Sequence, residues 1–292
     1  MTAAVLQKES VTVGEATFNA VVLGEGQPTV VLINGLGTSL EEWTLVAPAV
    51  AKRARVVSYD RRDAPSDGPI PRHNGTEIVQ DLHDLLSALG IDGPLVLVGH
   101  SWGGALARLY AATYPTDVVG LVLVDATHEN IRGMIPNATT ETIYGISTFA
   151  FRVGPLRRVL LRSLGFDQLP ATEAVAVERQ SWRLQTRTAR AEYSGIAETL
   201  RELRSTAPAL PNVPTRVLVA GGRGLAAKVG AKQLKAIRAV WEKAVEGRDA
   251  VILRSVPDSG HYISLEQPNA VIDAIEEILN ETLGLQRTAQ RG

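Results

Sequence analysis

Gly99-His100-Ser101-Trp102-Gly103 lies between an apolar run, LVLV at 95–98, and an amphipathic stretch near 102–113. A serine in the G-x-S-x-G pattern at a strand-to-helix junction sits in a tight turn with its hydroxyl exposed. The small residues at 99, 103 and 104 let the helix pack close without covering it. The helix that follows aims its dipole and its free N–H groups at any oxyanion forming beside Ser101. That combination serves nucleophilic attack on a carbonyl. A Gly-rich turn with a structural serine is the plainer alternative, and the strand before and helix after weigh against it.

A serine hydroxyl is a weak nucleophile at neutral pH and needs a base that titrates near 7, which means histidine. The chain has five. His73 and His83 precede the turn and read as loop or helix-face residues. His100, beside Ser101, has its side chain directed away from the nucleophile and reads as packed or hydrogen-bonded locally. Of His128 and His261, the latter lies in SVPDSGHYISLEQP, after the last predicted strand and before the last predicted helix. That is the same sheet edge as Ser101, where parallel strands open their ligand-binding crevice. His261 is therefore the predicted base.

The elements that must position these residues follow from periodicity. Ser10 to Leu23 reads as a β-hairpin. Apolar runs at 29–33, 55–59, 95–99, 121–125, 215–222 and 250–256 then alternate with helical patterns at 40–52, 76–89 (Thr76 as its cap), 102–113, 229–246 and 268–283. Fully apolar strands separated by helices predict a parallel sheet covered on both faces. The rhythm breaks over 128–210, which holds only helical segments, at 141–153, 155–164, 171–190 and 192–204. A stretch that long is predicted to be a helical cap, leaving 1–127 and 211–292 as the core. Residues 285–292 read as a frayed tail.

Composition removes several functions. Lys plus Arg number 30 against 31 Asp plus Glu, so no global field draws the chain to nucleic acid or anionic membrane. The absence of cysteine excludes disulfides, thiolate nucleophiles and Cys-based metal sites. No run of 18 apolar residues predicts a membrane span, and the first residues lack a signal-peptide pattern, so a soluble, cytoplasmic protein is expected. Residues 130–204 carry 11 Arg, no Lys and 7 Asp plus Glu, which solvated helix faces explain more simply than an anionic substrate does. Asp60, Asp63 and Asp67 read as a turn rather than a metal site. Tyr144, Phe149, Phe151 and Trp182 read as internal packing of the cap.

With GHSWGG, the late SGH, Asn34-Gly35-Leu36-Gly37 after the strand at 29–33 and YDRRDAPSDG after that at 55–59, the chain resembles the α/β-hydrolase superfamily over residues 10 to 283. The resemblance implies an eight-stranded, mostly parallel sheet with helices on both faces, a cap inserted after strand six, and a Ser, acid, His triad in that order. In most members the acid follows the strand before the last. Here no Asp or Glu occurs from Leu203 through Trp241. Some members take the acid from the preceding core strand, which puts Asp125 first, with Glu129 and Asp258 as alternatives. The resemblance also implies oxyanion donors at the N–H groups of Trp102 and Leu36, and Asn34 stands where members commonly carry histidine. Trp102 and Leu36 could line the pocket as well, although core packing explains Trp102 equally. The implied activity is cofactor-free and metal-free hydrolysis of a small or medium apolar ester or a lactone. A C–C bond hydrolase, a cofactor-free oxygenase and a non-catalytic binding protein are the alternatives. Serine at 101 argues against the branches that need a carboxylate nucleophile.

Overall fold

In a computed structural model, the structure describes residues 7–62, 72–131, 145–146, 149–183, 187–207, 209–222 and 231–289, with the side chains at 180–183, 233 and 285–289 excepted. Eight strands form one sheet: β1 (Glu9–Val13), β2 (Ala16–Leu23), β3 (Thr29–Ile33), β4 (Val56–Tyr59), β5 (Leu95–His100), β6 (Val118–Val124), β7 (Thr215–Ala220) and β8 (Val251–Val256). Their order is β1-β2-β4-β3-β5-β6-β7-β8. β2 pairs antiparallel with β1 and β4, and every other pairing is parallel.

The central strands are apolar throughout because both faces are covered. Alternate residues separate into two cores. Val31, Ile33, Leu97, Leu121 and Leu123 face one side, with the helices Gly75–Ala88 and Trp102–Thr113. Val30, Leu32, Val96, Val98, Val122 and Val124 face the other, against Ala47–Val50 and Pro268–Ala289. Each aliphatic side chain so enclosed contributes about 1.5–3 kcal/mol of burial.

From β3 the chain moves outward to β4, then returns past β3 to β5 on the other side. This reversal opens a crevice at the carboxyl ends of β3 and β5, the place where open α/β sheets bind ligands. The loop after β3 carries Leu36, and the turn after β5 carries Ser101.

Several elements differ from their sequence expectations. The stretch from Leu40 splits into a 3-10 turn, Leu40–Trp43, and one helical turn, Ala47–Val50. The helix predicted at 76–89 begins at Gly75 and is capped by Asn74, not Thr76. Asn74 and Glu77 form a reciprocal capping box, whereas the Thr76 hydroxyl donates to Glu202. The last helix continues to Ala289 through most of the expected tail.

Between β6 and β7 the described residues hold helices Gly154–Ser163, Ala171–Arg183 and Ala189–Thr206, and no strand. Phe151 is buried there with Leu161, Phe166 and Val177, against Tyr262 and Leu265 of the sheet domain. Phe149 is 64% exposed and takes no part in that packing, contrary to expectation. Tyr144 and the side chain of Trp182 lie outside the described residues, as do Asp63 and Asp67. Asp60 accepts the Leu40 N–H and pairs with Lys8.

Candidate active site

Ser101 takes φ 52° and ψ −118°, a conformation that costs a non-glycine residue about 1–3 kcal/mol and is held by its surroundings. Its N–H donates to Val124 O and its carbonyl accepts from Gly104 N and Thr127 N. The neighbouring glycines are steric necessities. A Cβ at Gly99 would lie 2.3 Å from Gly103 O, one at Gly103 2.2 Å from Ile33 O, and one at Gly104 2.3 Å from the Ala126 Cβ. The helix after Ser101 can therefore approach both β5 and the end of β3.

Asp125 follows β6 directly and has φ 41°. Its N–H donates to Leu218 O of β7, and its Oδ1 accepts the Ala220 N–H at 3.0 Å. Its Oδ2 lies 2.6 Å from Nδ1 of His261, in the loop after β8. Burial alone would push the Asp125 carboxyl up. The hydrogen bond and charge of His261, with the Ala220 N–H, instead hold it below the usual carboxylate range. The Asp125 side chain is 9% exposed and that of His261 47%.

The other candidate acids are engaged elsewhere or exposed. Glu129 forms a two-oxygen pair with Arg108, at 2.6 and 3.1 Å, inside the core. Asp258 is exposed at φ 55°. Of the remaining histidines, His83 stacks on Tyr114 and meets the Tyr110 hydroxyl. His128 is enclosed beside Glu129, and burial and the Arg108 charge push it down to about 4.

Among the described residues Ser101 Oγ makes no hydrogen bond to His261, and Nε2 of His261 has no protein partner. The N–H groups of Leu36 and Trp102 likewise donate to no described acceptor. Trp102 is buried in the core, and its indole N–H is unpartnered among the described residues. Asn34 is occupied structurally, donating to Tyr59 O at 3.0 Å and accepting the Trp43 indole N–H at 3.1 Å. A cavity of about 550 Å³ opens on the Asp125–His261 side, between Arg162, Gly165 and Gln168 above and Leu234 and Ile237 beside it. Ser101, Leu36 and Trp102 lie outside its lining.

Glu42 carries no sequence-level assignment, yet it is fully buried at this site. Its Oε1 lies 2.6 Å from His100 Nδ1, and its Oε2 accepts from Thr38 Oγ1 at 2.6 Å and Gly35 N at 3.2 Å. His100 Nε2 in turn donates to the His261 carbonyl at 2.9 Å. His100 thus reaches the backbone of the other histidine.

Against known proteins, the chain matches the model of the alpha/beta hydrolase family over residues 30–274. Epoxide hydrolase 4 from Homo sapiens is 34% identical over 118 residues, 39% of this chain and 32% of that protein, so the chain spans about a third of that relative's length. The sn-1-specific diacylglycerol lipase ABHD11 from Mus musculus is 28% identical over 265 residues, covering 86% of this chain and 81% of the relative. Among solved structures, a laboratory evolved variant of potato epoxide hydrolase StEH1 is similar in fold, with a TM-score of 0.73, 19% identity and coverage of 95% of this chain and 100% of that one. No helix among the described residues is long and apolar enough to cross a membrane. With the family match running from β3 into the last helix, and the reversal of strand order falling where Ser101 and Leu36 lie, the chain belongs to the alpha/beta hydrolase family.

Proposed function

We propose that the chain is a cofactor-free serine hydrolase that cleaves small or medium apolar carboxylic esters through an acyl-enzyme. Ser101, His261 and Asp125 act as the triad, and the N–H groups of Leu36 and Trp102 hold the oxyanion. Residues 128–210 act as a cap that selects the substrate. The observation that carries this reading is the 2.6 Å contact of Asp125 Oδ2 with His261 Nδ1, at the sheet edge where Ser101 is held at positive φ.

The chemistry follows from that contact. A carboxylate at Nδ1 fixes the proton there, which leaves Nε2 with its lone pair free. Nε2 takes the Ser101 proton as Oγ bonds to the ester carbonyl, and the carbonyl electrons move onto oxygen. Collapse expels the alcohol, which takes the proton from His261. Water then attacks the acyl-enzyme and gives a proton to Nε2, and collapse releases the acid as that proton passes to Ser101 Oγ. The Ser101–His261 hydrogen bond is of the kind that tightens only with substrate bound. A lactone differs only in keeping its alcohol tethered, so it fits the same machinery. Epoxide opening does not: attack by Ser101 on an epoxide carbon leaves an ether, which water cannot release as it releases an ester.

The test is a panel of p-nitrophenyl esters and lactones alongside fluorophosphonate labelling. Wild type is expected to label and turn over, and Ser101→Ala to lose the label and at least about 10³-fold in kcat/KM. Labelling or turnover undiminished in Ser101→Ala would refute the assignment.

A further inference from the structure

Outside that proton relay, the buried side chains of Arg61, Glu192, Glu42 and His100 gather around the loop after β3. Arg61 donates to Asn34 O and Gly35 O, both at 2.7 Å, and pairs with Glu192. Glu42 holds the same loop through Gly35 N and Thr38 Oγ1. The Glu42–His100 pair also touches the base, because His100 Nε2 donates to the His261 carbonyl.

We propose that Glu42 and His100 are positioning residues for the hydrolysis: a sealed pair that ties the loop carrying the Leu36 N–H to the backbone of His261, so that oxyanion donor and proton acceptor stay in register. The proposal rests on the serine hydrolase reading. It goes beyond that reading in assigning work to two residues outside the triad.

Bulk packing does not account for the pair. Sealing an ion pair in a core is expensive, and apolar residues of the same volume fill such a space at least as well. What the ion pair adds is direction. One carboxylate points one oxygen at His100 and the other at two groups of the Leu36 loop. The imidazole then carries the connection on to His261: Nδ1 meets the carboxylate as a close ion-pair contact and Nε2 donates to the His261 carbonyl. The backbone has been shaped to admit the contact, since a Cβ at Gly35 would come within 2.9 Å of His100 Nδ1. Only glycine allows the loop to lie against the ring.

The electrostatics favour the protonated ring. Burial would strip a proton from His100, but the charge of Glu42, with smaller help from Asp125 and the His261 carbonyl, raises its affinity above the ordinary imidazole value. Burial would likewise neutralise Glu42, and His100, Thr38 and Gly35 hold it below the ordinary carboxyl range instead. The groups facing the ring are Glu42, Asp125, His261 and Tyr262, with Arg61 beyond the loop. Tyr262 is buried and its ionisation is pushed up, so it faces the ring as a neutral phenol.

The test joins histidine-ring NMR to ester kinetics on the full chain in wild type, E42Q, T38V and S101A. The His100 ring is expected to hold its second proton to a higher pH in wild type than in E42Q. Kinetically, E42Q is expected to lose about 10- to 100-fold in kcat with KM within about threefold, and Ser101 phosphonylation should slow in parallel. T38V removes one hydroxyl and keeps both charges, so a fall in kcat of about two- to fivefold is expected. A folded E42Q with wild-type kcat, or a His100 ring that titrates identically in the two proteins, overturns the proposal. If E42Q does not fold, wild-type kcat in T38V overturns it instead. Turnover surviving in S101A strikes the hydrolase reading, and the ring titration then judges the pair separately.

Discussion

Two histidine–carboxylate pairs sit side by side in this molecule, with ring centroids 4.6 Å apart and the same 2.6 Å contact, Nδ1 to a carboxylate oxygen. Their surroundings separate them. In the His261–Asp125 pair the side chains are 47% and 9% exposed; in the His100–Glu42 pair they are 1% and 0%. His261 keeps Nε2 free of protein partners among the described residues, whereas Nε2 of His100 is spent on the His261 carbonyl. A proton can be passed only where a ring nitrogen has an unoccupied lone pair and a route to substrate. The open pair is built for transfer and the sealed pair for holding still.

The comparison breaks most visibly in kinetics. Asp125→Asn or His261→Gln is expected to lower kcat for an ester about 10³- to 10⁴-fold, because tautomer and base are lost together. His100→Gln should cost about 10- to 100-fold, since geometry alone is disturbed. Steady-state assays at pH 7.5 check this. Equal losses at the two histidines would erase the distinction drawn between them.

Stability should rank the pairs the other way. Glu42→Gln leaves His100 in the core without its counter-charge, and a loss of about 3 kcal/mol is expected. Asp125→Asn should cost about 1 kcal/mol or less, because solvent already screens His261. Urea unfolding of both variants at pH 6 is the measurement, and a larger loss for Asp125→Asn would reverse the assignment of roles.

The sealed pair also gives the fold a pH dependence of defined sign. Glu42 has a depressed folded value, so its contribution is present above the ordinary carboxyl range and is lost as pH falls through that depressed value. His100 has a raised folded value, so its contribution is complete below about pH 6.5 and is lost as pH rises through the raised value. The gap in unfolding free energy between wild type and His100→Gln is therefore expected to be widest at roughly pH 5 to 6.5 and to narrow toward pH 9. A gap that grew on the alkaline side would mean the ring is held neutral.

The open pair was legible in the sequence and the sealed pair was not, for a physical reason. Ser101 and Asp125 directly follow β5 and β6, His261 lies in the loop after β8, and parallel pairing of β5, β6, β7 and β8 brings such strand ends to one edge. The lack of any acid from Leu203 to Trp241 then leaves Asp125 as the strand-end carboxylate. Glu42 sits in LEEW, which at helical spacing reads as a solvated face. It is buried because the whole turn is enclosed: Leu40, Glu41, Glu42 and Trp43 are all buried, so no face of it meets solvent. A detectable signal was the placement of Gly35, Thr38 and Glu42 within eight residues opposite a histidine, though reading it requires knowing that β3 and β5 are neighbours. The Asn74 cap has a simpler local signal: Asn and Glu three apart form a capping box, and Thr76 lies inside the first turn.

The smallest effect offers the sharpest view of the contrast, because it changes no residue. Mobile ions screen charges that solvent reaches and leave enclosed ones largely untouched. His261 is reached by solvent and His100 is not. Raising NaCl from about 0.05 to 0.5 M is therefore expected to shrink the stability difference between wild type and Asp125→Asn by a few tenths of a kcal/mol, on the order of what an exposed pair contributes. The difference between wild type and Glu42→Gln should stay constant over the same range. Measured as parallel urea titrations, a salt-sensitive Glu42→Gln gap would mean that water enters between Glu42 and His100. The pair would then lack the fixed geometry that its hold on the Leu36 loop requires.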